Sequence, residues 1–514
     1  MFRYIDTLFA TGRRSYKLCL LLVCLSVSIA GCEKPQQAAE SGVIKSVPIK
    51  LAPIKFAIAQ APLNLDPRYA TDAASERVNR LIYRNLIDFD QSAKPKPDLA
   101  TWLEINPTHY RFTLLKQRST FHDHTRLTAQ DVVATYESFT HLKDSPHSAE
   151  FANIRRVEAL NDDVIDFYLA QPDNNFVAKL IIGILPSKLI KTYHDFAHQP
   201  IGSGPLKFIS WKNNLQLQRV ADQQNFVLTE VKDPTVRVLK LIRGEVDLLQ
   251  GDLPPELVKY LQKQNNIAVQ NTIGANFSYI GFNMRDAVLS KQAVREAVAH
   301  AIDRKAIIQQ AMVVDSREAG AILPPEHWAG NSNLSAYDYN PALARQLLKQ
   351  AEIKLPLKLV YKTSTDAQRV RLATIMQAQM REAGIELEIR SLDWGTFFSD
   401  IKQGNFQLYG LTWVGIKTPE IYVKAFGSQA IPPLGANRGH FQDKALDDLM
   451  LLAQHSQQVS DWQSVTAYIH QAAPYVPLWY EGQFSAMRKE LVNYDLQPDG
   501  NWDGLKTIQR QTIN

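Results

Sequence analysis

Four groups of residues in this chain have types and spacings that could do chemistry. Gly202-Ser203-Gly204 sets a serine between glycines, but Pro205 and a strand pattern follow where a nucleophile elbow requires a helix. His122-Asp123-His124 offers two imidazoles and a carboxylate at adjacent turn positions, an arrangement that suits solvation better than a metal. Asp162 and Asp163 with Asp166 read as a turn and a strand face, not as an acid/base pair. Glu326-His327-Trp328 stands in a Pro-rich loop, where an aromatic can meet a ligand or pack beneath its own loop. The chain has no HExxH, no phosphate-binding glycine loop and no histidine pair at helical ligand spacing. The expectation is no enzyme, no cofactor and no metal. A different kind of candidate is Trp413-Val414-Gly415-Ile416-Lys417, an aromatic and a cation separated by a glycine.

The elements that must position that stretch are legible in the C-terminal half. Asn340 suits a helix cap and Pro341 the first helical position, with Leu343, Leu347 and Leu348 turned inward. Leu357, Leu359 and Tyr361 alternate as a strand, and a helix over 366–383 closes at Gly384. Ile385, Leu387 and Ile389 alternate with charged residues, Asp393 opens a short helix, and 406–413 forms another strand. This order predicts an α/β domain with neighbouring parallel strands, whose ligands sit beyond the strands' carboxyl ends. Trp413 to Lys417 lies there. Earlier in the chain a strand opens at Ile54 and a helix spans 73–86 with Val78, Leu81, Ile82 and Asn85 at helical spacing. Tyr110, Phe112 and Leu114 alternate, and Thr128 with Asp131 three positions on can cap the helix that follows.

Cysteine usage bears on location. The three cysteines are Cys19, Cys24 and Cys32, so residues 33–514 hold no disulfide, thiolate metal site or cysteine nucleophile. Arg13, Arg14 and Lys17 precede an apolar run over 18–30, too short for a comfortable membrane span but suited to a signal-peptide core. The ending Ile29-Ala30-Gly31-Cys32 resembles the lipobox of bacterial lipoproteins. That resemblance implies cleavage after residue 31, lipidation of Cys32 and a tether over 32–53. Loss of 1–31 removes four basic side chains and one acidic one, so the net charge falls from +5 to about +2 and nucleic acid is not an expected partner. Glu33 is not the aspartate associated with inner-membrane retention.

A larger resemblance runs through the body of the chain. Phe121 to Val132 (FHDHTRLTAQDV) is similar to the "FxDGxxLTAxDV" stretch of the extracellular solute-binding proteins of family 5, with His124 where that family has glycine. Pro200-Ile201-Gly202-Ser203-Gly204-Pro205 with Lys207, Phe208 and Trp211 follows in the family's order, as do Gly244-Glu245-Val246-Asp247, Phe282-Asn283, Val294-Arg295-Glu296-Ala297 and Ala301-Ile302-Asp303-Arg304. Leu323-Pro324-Pro325 and Tyr339-Asn340-Pro341-Ala342 complete the set. The resemblance implies an α/β, bilobed fold of the periplasmic-binding-protein type II in its large three-domain variant. Lobe I would comprise 54–87, 196–271 and 482–514, an accessory domain 88–195, and lobe II 272–481, with hinges near Asn271 and Gly482. It implies a monomeric periplasmic lipoprotein that captures a peptide between its lobes and delivers it to an ABC permease. A non-peptide cargo (metal chelate, siderophore or opine) is the alternative, with a non-transport lipoprotein or enzyme a more distant one.

On that reading the cleft residues are Leu63 and Asn64 from lobe I and Phe277, Tyr279, Trp413 and Lys417 from lobe II. One departure matters. Peptide-binding members carry "WxxDxxDP", whose aspartate pairs with the peptide's α-ammonium; Ile416 stands in its place here, and Thr418 replaces the second acid. A buried ammonium without a carboxylate is costly, and Lys417 beside it worsens the case. The expectation is a blocked, acidic or non-peptide ligand whose carboxylate meets Lys417, unless Glu420 or the other lobe supplies the missing acid.

Overall fold

The computed structural model describes residues 52–90, 93–117, 120–142 and 144–511. The leader, the tether and Cys32 lie outside them. One long sheet organises the chain. Its strands run in the spatial order Ile385–Leu392, Leu357–Ser364, Leu408–Trp413, Ile267–Phe282, Tyr475–Arg488, Leu248–Gln250, Ile54–Ile58, Asn225–Glu230, Leu215–Arg219 and Leu206–Trp211. Leu357–Ser364 pairs in parallel with both Ile385–Leu392 and Leu408–Trp413, as the alternation of strand and helix requires. Ile267–Phe282 and Tyr475–Arg488 are the long central strands and pair antiparallel along their length. Their register breaks between Thr272 and Asn276, opposite Gln483 and Glu481. Gly274 sits in that break with the Glu481 carbonyl so close that a Cβ would fall 1.5 Å from its oxygen. Only glycine lets the two backbones approach this way.

The helices follow their sequence signals. Asp366 caps Ala367–Glu382 by accepting the Arg369 N–H at 2.9 Å, and Gly384 takes the left-handed conformation after it. Asn340 caps Pro341–Gln350 through the Leu343 N–H, and Asp393 caps Trp394–Gln403 through the Thr396 N–H. The helix predicted over 73–86 is shorter, Ala73–Ile82. Tyr83 leaves helical geometry, and Leu86 and Ile87 turn into a different core instead. That core belongs to a four-stranded antiparallel sheet of Ala100–Asn106, His109–Leu114, Val164–Leu169 and Ile154–Ala159, packed against Ala129–Ser138. The Thr128 N–H donates to Asp131 at 2.8 Å, the expected helix start. His124 has φ +68, the conformation for which the family pattern has glycine.

Alternation along the central strands sends side chains into two cores. Ile280 and Phe282 enter an aliphatic one with Leu357, Leu359, Leu372 and Met376. Phe277 and Tyr279 point the other way, into an aromatic one with Tyr409, Phe426, Tyr475 and Tyr480. Burial of this kind contributes roughly 1.5–3 kcal/mol per large apolar side chain. No helix among the described residues is long and apolar enough to cross a membrane.

Candidate functional site

Leu408–Trp413 ends at the aromatic core, and Trp413 is half-buried at its edge. The Trp413 ring lies parallel to Tyr279 with centroids 6.3 Å apart, and Tyr279 is in turn stacked beside Phe277 at 5.8 Å. Phe277 and Tyr279 are only 1% and 5% exposed, so they are core side chains and not open cleft surface. Sequence alternation could not reveal this, because both faces of the strand are covered. The two rings do face a cavity of about 20 Å³ shared with Tyr409, Trp413, Arg438 and Tyr475, room for one water.

Arg438 was not foreseen. Its guanidinium carbon sits 4.7 Å from the Trp413 ring centre and 5.5 Å from that of Phe398, and Nη1 donates to the Tyr279 hydroxyl at 3.0 Å. Nothing in Ala436-Asn437-Arg438-Gly439 marks the residue in the sequence; the fold alone brings it over the tryptophan.

After Trp413 the chain turns at Gly415, whose φ is +67 and whose missing side chain would meet nothing within 4 Å. The Gly415 N–H donates to Asn276 Oδ1 at 3.4 Å. Ile416 packs on the aromatic core. Lys417, expected to await a ligand carboxylate, already has one: Nζ lies 2.8 Å from Asp499 Oδ2. Burial opposes the Asp499 charge, but Lys417 and the Asn501 N–H outweigh it and hold that carboxyl below its ordinary range. The Lys417 carbonyl accepts from His327 Nε2 at 2.9 Å, while His327 Nδ1 accepts the Ala329 N–H, and burial lowers that imidazole's pKa. Trp328 packs against the aromatic core, the plainer of its two readings.

Glu420, the acid that could replace the missing aspartate, is also engaged. It accepts from Asn175 Nδ2 at 2.5 Å and from Gln454 Nε2 at 2.8 Å, and burial raises its pKa. Lys424, one turn on, pairs with Glu150. These contacts join the Trp413–Lys424 stretch to the four-stranded domain and to the C-terminal tail.

Among the described residues no hydrogen bond joins Leu63 or Asn64 to this group. Leu63 is 56% exposed, and both backbone N–H groups donate to Ser75 Oγ. The helix behind them presents Glu76, another residue without a sequence signal. Glu76 is exposed, and among the described residues no hydrogen bond or ion pair to its carboxylate is made. Desolvation by the surrounding protein pushes its pKa up to about 7, helped by Asp72 and Glu150 and opposed by His147 and Lys424. Among the described residues no cluster of three or more His, Cys, Asp or Glu could hold a metal ion. His122 instead bonds through Nε2 to the Gly204 carbonyl at 2.9 Å.

The pattern of the Bacterial extracellular solute-binding proteins, family 5 Middle, matches residues 94–430, more than half of the chain. The chain belongs to this family. The dipeptide-binding protein of Escherichia coli (strain K12) is 23% identical over 494 residues, covering 86% of this chain and 91% of its own. Among solved structures, the periplasmic binding protein DppA from Helicobacter pylori, in complex with the peptide STSA, superposes with a TM-score of 0.79 at 23% identity, covering 90% of this chain and 98% of its own. NikZ from Campylobacter jejuni, in complex with Ni(L-His), gives 0.77 at 21% identity, covering 89% and 99%. The bilobed α/β architecture is therefore that of these binding proteins, as the resemblance implied.

Proposed function

We propose that this chain is the substrate-binding lipoprotein of an ABC importer, holding a small solute between two lobes and presenting it to a permease in the inner membrane. The lobes would be 54–87 with 196–271 and 482–514 on one side and 272–481 on the other, with 88–195 as the accessory domain. The two long central strands would bend at the register break around Gly274. The observation that carries the reading is the set of polar contacts clustered beside Trp413 that join these parts: Lys417 to Asp499, Glu420 to Asn175 and Lys424 to Glu150. A ligand shifts such an equilibrium only by touching both sides, and the Trp413–Lys417 stretch lies where both sides meet. A diacylglycerol-bearing Cys32 would hold this monomer at the membrane surface, since several chains on one cysteine make a stable anchor.

Peptides are the first class of solute, as for the Escherichia coli and Helicobacter pylori relatives named above. A non-peptide or acidic cargo is favoured by one feature: the chain offers a free α-ammonium no acid at Ile416, and Glu420 is already bound twice. Native mass spectrometry of protein purified without denaturation tests the reading. The expected result is a stoichiometric small solute released on unfolding; a chain that carries no solute and binds none from a peptide and chelate panel contradicts it. For the anchor, Cys32→Ser is expected to abolish fatty-acid labelling, because a serine hydroxyl lacks the thiolate's nucleophilicity. Label persisting in that variant removes the lipoprotein reading.

A further inference from the structure

Several arginines in this protein donate to backbone carbonyls or pair with an acid, although Arg304 Nη2 and Arg77 Nε are buried without a partner. Arg295 donates to the carbonyls of Leu289, Ser290, Ala472 and Ala473. Arg304 donates to those of Ala299, Ile302, Tyr337 and Pro477. Arg237 reaches three carbonyls, and Arg369 pairs with Glu481. Each arrangement spreads the charge over several oxygen dipoles or neutralises it. Arg438 has neither. It is half-buried, its oxygen partners are the phenols of Tyr279 and Tyr409, and among the described residues no carboxylate lies within ion-pair distance.

Two aromatic faces flank the guanidinium, but a cation–π contact is worth only about 0.5–2 kcal/mol. Taking a cation partly out of water costs several kcal/mol unless hydrogen bonds or an opposite charge offset it. A planar five-donor fork whose partners here are two phenols is suited to a carboxylate, which it can hold bidentately. The adjoining cavity has the volume of one water, so it would take one carboxylate oxygen and not the body of a solute. Arg77, in the other half of the sheet, is similarly set over an aromatic ring, that of Trp502 at 5.5 Å. Arg77, however, has the Asp252 carboxylate in its field. Arg438, beside Trp413, has neither an acid nor a set of backbone carbonyls among the described residues.

We infer that Arg438, framed by Trp413, Tyr279 and Phe398, is the receptor for a carboxylate group of the bound solute. This rests on the reading of the chain as a solute-binding protein and narrows its ligands to those that carry an acid. The engagement of Lys417 by Asp499 strengthens the assignment, because the sequence's other candidate cation is already neutralised.

The test uses three probes on the full mature chain by calorimetry: Ala-Ala, N-acetyl-Ala-Ala, and N-acetyl-Ala-Ala amide. The last two differ only in the carboxylate. The expected result is a preference of tenfold or more for the acid over the amide, falling below twofold in Arg438→Gln and partly restored in Arg438→Lys. The apo melting temperature of Arg438→Gln is expected to hold or rise, because an uncompensated charge has been removed; a fall of several degrees would mark a structural arginine and overturn the assignment. Equal binding of acid and amide, or discrimination surviving in Arg438→Gln, overturns it too. So does a solute, carried through purification, that has no acidic group. These outcomes leave the solute-binding reading intact, whereas failure to bind any probe together with no carried solute removes both.

Discussion

The two faces of the strand Ile267–Phe282 make the most instructive comparison in this molecule. On one, Ile280 and Phe282 meet leucines and methionines, and the buried cations beside them, Arg295 and Arg304, donate to backbone carbonyls. On the other, Phe277 and Tyr279 meet tyrosines and tryptophans, a cavity remains, and Arg438 has only phenols to donate to. Close packing with satisfied donors is what stability selects. The second face ends at its edge in Trp413 and Arg438, both half-buried, where the proposed carboxylate would be met.

Substitutions on the two faces should therefore differ in what they damage. The largest stability loss is expected for Arg304→Leu, which strands four carbonyl acceptors; about 3–5 kcal/mol is the scale for breaking a buried charged network. Urea unfolding measures it, and a loss under 1 kcal/mol would mean those bonds are idle. Phe277→Ala is expected to cost about 3–5 kcal/mol as well, since a nearly inaccessible phenylalanine leaves a hole. That outcome would complete its reassignment from cleft to core.

Trp413→Ala should divide stability from binding. The half-buried ring is expected to cost less than Phe277→Ala in apo stability, while solute affinity falls at least tenfold, about 1.4 kcal/mol. A melting temperature that collapses in the apo protein would make Trp413 another core residue.

How far the sequence reached can be read from these same residues. Strands, caps and the parallel order 357–364, 385–392 and 408–413 were legible because they depend on local chemistry: Asn340, Asp366, Asp393 and Gly384 act within a few positions of themselves. The end of the helix at Ile82 was not, since Leu86 continues its apolar spacing while serving another core. Of the candidate site, the place of Trp413 at a strand end was legible, but Arg438 and Asp499 reach its surroundings from segments with no local signature. Phe277 and Tyr279 were placed in the cleft by resemblance, and no local signal shows that their face of the strand is covered. Lys417 looked free because its partner is 82 residues away.

Smaller effects sharpen the comparison. The surroundings of Glu76 push its carboxyl up to about 7 from an ordinary 4.5, chiefly by desolvation, so the folded state binds the extra proton between those values. A raised carboxyl pKa contributes stability that is fully present below the unfolded value and is lost as pH rises through about 7. Glu76→Gln removes that dependence: its melting temperature relative to wild type is expected to be higher at pH 8 than at pH 5. A constant offset across that range would show that Glu76 titrates normally. Lys417→Met, which leaves the buried Asp499 carboxylate without its cation, is expected to cost about 1–3 kcal/mol in urea unfolding. Its clearer signature would be a closed state that is harder to populate.

Closure itself can be measured directly, because residues 33–514 contain no cysteine and a pair of introduced thiols would be the only labelled sites. Lys259 and Thr374 are both exposed and lie on the helices that carry Glu256 and Arg371, whose ion pair bridges the two halves of the sheet at 2.7 Å. With Lys259→Cys and Thr374→Cys spin-labelled in a Cys32→Ala chain, double electron–electron resonance gives the distance between these two helices. Two lobes closing on a solute predict a longer, broader distribution when the carried solute has been removed, and a return to one short distance when it is restored. A single distance unchanged by removal and return of the solute would contradict the account.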